Sequence, residues 1–169
     1  MTISMYKVSV PVFIHMLNNL KGIIEKGAAH AEAKKIDPTV LLNYRLSPDM
    51  LPLTAQIQIA TDLAKGCAAR LAGIEPPKFE DNETTFAQLV ERLQKAITFL
   101  STVQAEQVDH SEEKTINLNL GGHAMSFAGL PYLLHFVLPN FYFHITTAYA
   151  ILRHGGVELG KIDFMGNIS

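Results

Sequence analysis

The segment that decides the fold is Pro139–Gly156, which reads PNFYFHITTAYAILRHGG. Proline suits the first turn of a helix and glycine suits the residue past its end, so the segment predicts about four helical turns. Two neighbouring stripes of this helix differ in character. One holds Asn140, His144, Thr147 and Ile151, and the apolar one holds Phe141, Ile145, Ala148 and Leu152. A histidine placed beside a core stripe points into a helical bundle or its mouth, so we expect the chemistry of the protein here.

Length and composition indicate one globular domain spanning residues 1–169. The chain is 48% hydrophobic, which is enough to bury a substantial core. Its net charge is −2 and its basic residues are scattered, which argues against nucleic acid as a partner. No apolar run approaches the ~18 residues of a membrane span, and we expect no signal segment. The single cysteine, Cys67, fits a reducing compartment and is expected to be buried packing. These features predict a soluble cytoplasmic protein.

Apolar residues repeat at helical spacing in two earlier segments. The first helix should begin near Ser9, with Ser9 as its cap and Pro11 in its first turn, and should run to about Lys35. The second helix should cover roughly Leu53–Leu71 and stop at Gly73.

A third helix has a clear N-terminal signal. Thr85 and Gln88 have the spacing of a capping box, and an amphipathic apolar stripe follows from Phe86 to Val103. Residues 104–114 are polar and are predicted to form a loop.

The hydrophobic period then changes from helical to alternating. Residues 116–120 alternate apolar and polar side chains, Gly121-Gly122 suits a two-residue turn, and residues 123–127 form a second short run. This pattern predicts a small β-hairpin between the third helix and the helix of Pro139–Gly156, which is the fourth. The tail, 157–169, has no period. We therefore predict an all-α protein, an antiparallel four-helix bundle that carries one hairpin.

Four segments carry a resemblance to a known family. They are RLSPDMLPL (45–53), QIQIATDLAK (56–65), ARLAG (69–73) and FHITTAYAILRHGGVELGKIDFMG (143–166). With the helix layout, they resemble the DinB-like superfamily, also called YfiT-like, and more narrowly the bacterial DUF1993 family. The resemblance implies a DinB-like bundle. The superfamily includes thiol-dependent transferases and isomerases, and its YfiT-like members are described as metal-dependent hydrolases. The resemblance therefore also implies a transferase or hydrolase as the enzymatic possibility.

The resemblance further implies a three-histidine metal site, with one ligand on the second helix and a His-x-x-x-His pair on the fourth. Leu152-Arg153 sets the register, which places His144 at the second histidine of the pair, Asn140 at the first, and Thr147 at a glutamine that often follows. The second helix has no histidine. Asparagine is a poor ligand for zinc or nickel. We therefore predict a degenerate metal site and no cofactor, with a divalent ion at His144 as the remaining alternative.

Two functions stay open from the sequence. The first is small-molecule binding, by a protein or cryptic enzyme, in a pocket between the second and fourth helices lined by Gln58, Asp62, Asn140, His144 and Thr147. The second is a non-catalytic interaction protein in which these residues only satisfy one another. In that case His144 bonds to a neighbouring helix, and Asp62 pairs with Arg153 or with a lysine of an adjacent helix.

The region before and within the fourth helix also predicts a homodimer. Leu130–Leu138 and Phe141–Phe143 carry more apolar side chains than one core-facing stripe needs. A large exposed apolar patch usually marks an interface. The alternative is that the hairpin and the tail cover this surface. In that case we expect an ion pair between Arg153 and Asp163 to hold the tail in place.

Overall fold

The computed structural model describes residues 4–167 of the chain. Four long helices carry the fold, and short helices and one hairpin connect them. In chain order the elements are α1 (Val10–Lys34), α2 (Pro38–Leu42), α3 (Leu53–Ala72), α4 (Phe86–Leu100), α5 (Ala105–Val108), β1 (Thr115–Leu120), β2 (His123–Ala128), α6 (Gly129–Pro131), a π-helix (Tyr132–Val137), α7 (Leu138–His154) and α8 (Lys161–Met165).

The four predicted helices correspond to α1, α3, α4 and α7, so the predicted helical fold is confirmed. Helix α1 packs on α4, and α3 packs on both α4 and α7. The apolar stripes of these helices form one buried core. Between α1 and α7 this core includes an edge-to-face pair, Phe13 and Phe141, with ring centroids 5.0 Å apart.

Local signals set several helix boundaries as predicted. At the start of α4, the Thr85 hydroxyl accepts a hydrogen bond from the Gln88 backbone N–H, and the Gln88 side chain accepts one from the Thr85 N–H. At the end of α3, Gly73 adopts a left-handed conformation with φ of 76°. Glycine adopts this conformation without the steric cost that a side chain would bring.

The hairpin forms where the alternating pattern predicted it. Strand β1 pairs antiparallel with β2, and Gly121 and Gly122 both have positive φ, as a tight two-residue turn requires. Ile116 and Leu118 face the core, whereas the intervening asparagines are exposed. The strand therefore stabilises the hairpin by burying one face against the helices.

The structure differs from the sequence expectations in local detail at three places, and one of them, the predicted loop 104–114, is a correction. Ser9 occupies the cap position of α1, but its hydroxyl donates to the Met5 carbonyl at 2.6 Å and makes no cap bond to the helix. The predicted loop 104–114 contains α5, and the tail contains α8. Each of these helices is too short to show a helical period, and capping and tertiary contacts fix them instead.

Cys67 is fully buried, which confirms its predicted packing role. Burial raises the pKa of its thiol far above the usual range, although the nearby Arg70 opposes this effect. A thiol in this state is not a nucleophile at neutral pH.

Among residues 4–167, no helix combines the length and apolarity that a membrane span requires.

Candidate binding site at His144

His144 lies on α7 and is nearly buried, with an exposed fraction of 8%. Its Nδ1 bonds to Oε1 of Gln56, on α3, at 2.7 Å. The Nε2 of Gln56 in turn donates to the Leu51 carbonyl at 3.0 Å. Because a carbonyl oxygen only accepts, the Gln56 amide must present its own oxygen to the imidazole, and the His144 Nδ1 must carry the proton. Two successive hydrogen bonds therefore fix the orientation and the tautomer of His144.

The second ring nitrogen of His144 is left as an acceptor. Burial lowers the pKa of His144 below its usual 6.5, so the ring is neutral at pH 7 and Nε2 carries a lone pair. Within residues 4–167, no side chain or backbone group bonds to this nitrogen. The only fully enclosed side-chain nitrogen or oxygen without a partner in the described chain is the Ser111 hydroxyl. His144 Nε2 therefore retains a path to solvent.

An exposed aromatic side chain flanks this imidazole at the protein surface. The Phe143 ring meets the His144 ring edge to face, with centroids 5.2 Å apart, and Phe143 is 56% exposed. Leu51, whose carbonyl holds Gln56, also has an exposed side chain. Asn140 is half-buried one turn before His144. The Thr147 hydroxyl donates to the Phe143 carbonyl at 2.7 Å, so its proton is used within α7.

The structure does not bring Gln58 and Asp62 to His144. The Gln58 amide donates to Glu83 at 2.9 Å, and Asp62 accepts from Arg92 at 2.9 Å. Residues 56 and 58 of a helix point about 200° apart, so Gln56 faces α7 while Gln58 faces α4. The five residues proposed from the sequence therefore do not form one site. Gln58 and Asp62 lie on a different face of α3 from Gln56, the residue that bonds to His144.

Arg92 is the centre of the second group and is 2% exposed. Its guanidinium donates to the Thr61 hydroxyl at 2.8 Å, to the Glu83 carboxylate at 3.0 Å and to the Asp62 carboxylate at 2.9 Å. Two backbone carbonyls accept as well, at residues 58 and 80. Since all five N–H groups of an arginine have acceptors here, Arg92 holds the segment before α4 onto the bundle and has no donor left for a ligand.

Electrostatics at this cluster agree with that structural role. Burial raises the pKa of the Glu83 carboxyl, but hydrogen bonds from Gln58 and Arg92 outweigh burial and hold the pKa below its usual value. Lys65 also pairs with Asp62 at 3.1 Å. The Phe79 ring lies under both the Lys65 ammonium and the Arg92 guanidinium.

Sequence reasoning missed Gln56 and Arg92, although each had a signal. Gln56 lies four residues before Ala60, so it extends the core stripe of α3 toward the N-terminus. Arg92 lies three residues after Leu89 and four before Ala96, at the edge of the apolar stripe of α4. A polar residue in register with a core stripe needs a buried partner, and that criterion singles out both positions.

Two predicted ion pairs are wrong. Asp62 pairs with Arg92 and Lys65 instead of Arg153 or a lysine of an adjacent helix. Asp163 pairs with Lys26 of α1 at 2.6 Å instead of Arg153. Lys65 lies three residues after Asp62 on the same helix, whereas Arg92 and Lys26 lie on other helices, and the sequence alone could not reveal these two neighbours.

The donors around His144 do not fit a three-imidazole metal site. Gln56 faces the ring from α3, and its amide oxygen accepts the Nδ1 proton instead of supplying an imidazole. Within residues 4–167, no group of three His, Cys, Asp or Glu side chains is arranged to hold a metal ion. Residues Asn140 and Thr147 offer only weak oxygen donors. The absence of a stoichiometric metal stays a prediction.

Comparison with known proteins identifies the family. The profile of DUF1993, described as a domain of unknown function, matches residues 5–165. The crystal structure of a DinB family member protein from Shewanella denitrificans is similar, with a TM-score of 0.86 and 42% identity over 96% of this chain and 92% of that one. Comparison with curated proteins gives no match. Because the profile spans nearly the whole chain and the bundle has the DinB-like fold, this protein belongs to the DUF1993 family.

Proposed function

We propose that this protein binds a small molecule at His144, with Nε2 of the imidazole accepting a proton or a hydrogen bond from the ligand. The observation that carries the proposal is the chain from His144 through Gln56 to the Leu51 carbonyl. It holds a neutral imidazole in one tautomer and leaves its acceptor nitrogen without a protein partner. Because this nitrogen reaches solvent, a ligand can take the place of water as its hydrogen-bond donor.

The surroundings of the imidazole suggest the shape of the ligand. The exposed Phe143 ring beside the imidazole suits an apolar or aromatic group, and Nε2 suits an adjacent hydroxyl, amine or thiol. Asn140, half-buried one turn away, can supply both a donor and an acceptor. A transferase or hydrolase that uses His144 as general base is the enzymatic form of this proposal.

A fragment screen followed by NMR tests the proposal. The imidazole ¹⁵N signals of His144 report directly on Nε2, and compounds that bind there should shift this signal. Binding should be lost in His144→Ala and retained in His154→Ala, an exposed histidine at the end of the same helix that stacks on Tyr44. Compounds that bind both variants equally, or a screen with no effect on the Nε2 signal, would contradict the proposal.

A second candidate is assembly, in the form of a non-catalytic homodimer that retains a degenerate metal site. It is favoured by one specific observation: the surface of α6, the π-helix and α7 exposes large apolar side chains. Phe143 is 56% exposed, and Leu130, Leu134 and Tyr142 are between 36% and 41% exposed. Neither the hairpin nor α8 removes these side chains from solvent, and a second copy of the chain would do so.

Light scattering tests the assembly. The wild-type protein should have twice the 18.7 kDa chain mass, and Phe143→Ser should shift the equilibrium to monomer. Val40→Ser is the matched control, because Val40 is also 56% exposed but lies on α2. A wild-type mass near 18.7 kDa at micromolar concentration would exclude the dimer.

We also infer that the protein works in the cytoplasm. The single buried Cys67 supports a reducing compartment, since the chain does not depend on a disulfide. Fractionation of cells that express the full chain would test this location.

A further inference from the structure

Helix α8 covers a seam between α1 and α7. The Phe164 side chain, on α8, is inserted above four buried apolar side chains: Met16, Leu20 and Ile23 of α1 and Ile145 of α7. These five residues line a narrow slot that has no room for a water molecule. The Phe164 ring also meets Tyr149 edge to face, with centroids 5.9 Å apart. The seam is therefore closed by a segment that follows the bundle in sequence rather than by the bundle itself.

A small set of polar contacts holds α8 in this position. The His15 Nε2 donates to the Met165 carbonyl at 2.7 Å, and the Asn19 amide donates to the Phe164 carbonyl at 3.1 Å. Lys26 pairs with Asp163 at an exposed site. The chain then turns at Gly166, where φ is 69° and a side chain would collide with the Asn19 amide. All of these polar contacts are made with α1.

Helix α8 itself contributes little to the core. None of its five residues is buried, and Ile162 is 76% exposed. The main bundle, by contrast, is built from helices with many fully buried side chains. Segments with few buried apolar contacts open at a lower free energy than the core to which they are attached.

We propose that α8 is a lid that opens while the four-helix bundle stays folded, and that its opening uncovers the apolar slot between α1 and α7. The hinge is Gly160, which has an extended backbone and lies between Leu159, a buried core residue, and the first residue of α8. Opening breaks the His15, Asn19 and Lys26 contacts and withdraws one aromatic ring, and it leaves the packing of α3 and α4 unchanged.

Two cysteines in one protein can separate lid opening from global unfolding. Met16→Cys places a thiol under Phe164, and the native Cys67 is fully buried on α3. Under native conditions, N-ethylmaleimide should alkylate residue 16 at least about tenfold faster than Cys67, because residue 16 needs only the local opening. Peptide mass spectrometry measures the two rates in the same sample. Equal rates would overturn the proposal.

Variants of the lid contacts sharpen the test. In the Met16→Cys background, Asn19→Ala removes the bond to the Phe164 carbonyl and should speed alkylation at residue 16 by roughly threefold without changing Cys67. Ile162→Ala, on the exposed side of α8, should change neither rate. If Asn19→Ala accelerated both cysteines in parallel, α8 would be part of the global unfolding unit and the proposal would fail.

Hydrogen exchange on the unmodified protein gives a second measurement that does not depend on the folding of the cysteine variant. The peptide covering 161–166 should exchange faster than peptides from α1 and α7 by at least about tenfold. Protection of this peptide equal to that of α1 would contradict the lid.

Discussion

His144 and Gln56 join α7 to α3 through one hydrogen bond of 2.7 Å between Nδ1 and Oε1. The bond is buried, and each partner lies on a helix whose other inward residues are mostly apolar. It is therefore a specific polar link in an apolar interface, where an unsatisfied group is costly.

Replacing only one partner of this link should destabilise the protein. Gln56→Leu leaves the His144 Nδ1–H without an acceptor, and the expected loss is about 1–3 kcal/mol in the free energy of unfolding. The double variant Gln56→Leu with His144→Phe should lose less than the sum of the two single variants, because neither buried polar group then remains. Urea unfolding of the four proteins measures the coupling. Additive losses would show that the bond is not energetically coupled.

The stability contributed by His144 should depend on pH. Its folded pKa lies below 6.5, so between these two values the unfolded chain binds more protons than the folded one. This contribution is fully present above pH 6.5 and is lost as the pH falls through the folded pKa. His144→Phe should therefore show a smaller loss of stability than wild type between pH 7.5 and about pH 5. Titration of the His144 ring signals by NMR gives the folded pKa, and a value at or above 6.5 would contradict the prediction.

Arg92→Met should be strongly destabilising. It removes the cation that bridges Asp62 and Glu83, so each carboxylate loses its bond to the buried guanidinium, at an expected cost of about 3 kcal/mol. Lys95→Met is the matched control on the same helix. Its pair with Glu91 is more than half exposed, so it should cost under about 1 kcal/mol.

The same pair of variants should also differ in limited proteolysis. Cleavage within 74–84 should rise in Arg92→Met and stay at the wild-type level in Lys95→Met, because Arg92 holds this segment against the bundle. If Arg92→Met and Lys95→Met lost similar amounts of the free energy of unfolding, the buried network would contribute no more to stability than a surface ion pair does.

Two glycines should respond in opposite directions to alanine. A Cβ at Gly129 would meet the backbone carbonyl of Ser111, which cannot move without disturbing the segment before β1, and the expected cost is at least about 2 kcal/mol. A Cβ at Gly22, within α1, has no atom within 4 Å. Gly22→Ala should stabilise the protein by about 0.5–1 kcal/mol through helix propensity. Thermal unfolding of both variants checks the signs.

Several features of the fold depend only on neighbouring residues, and these could be predicted from the sequence. The capping box at Thr85, the glycine end of α3 at Gly73 and the hairpin turn at Gly121-Gly122 were all predicted, because each depends on residues within a few positions of one another. Helix α8 was not predicted, because five residues carry no detectable period. Its position depends on the packing of Phe164 against the seam between α1 and α7, which is a tertiary contact.

The four long helices, the hairpin and the inward position of His144 follow from the amino-acid sequence, since hydrophobic period and turn chemistry are local properties of the chain. Only the tertiary structure decided which side chains meet. Gln56 and Gln58 are both polar and two residues apart, yet the side chain of one bonds to His144 and that of the other bonds to Glu83. The direction of each depends on the rotation of α3 about its axis, which the packing of α4 and α7 against its two sides fixes. That rotation is a non-local property, and it separates the predicted site into an anchored imidazole and a buried arginine cluster.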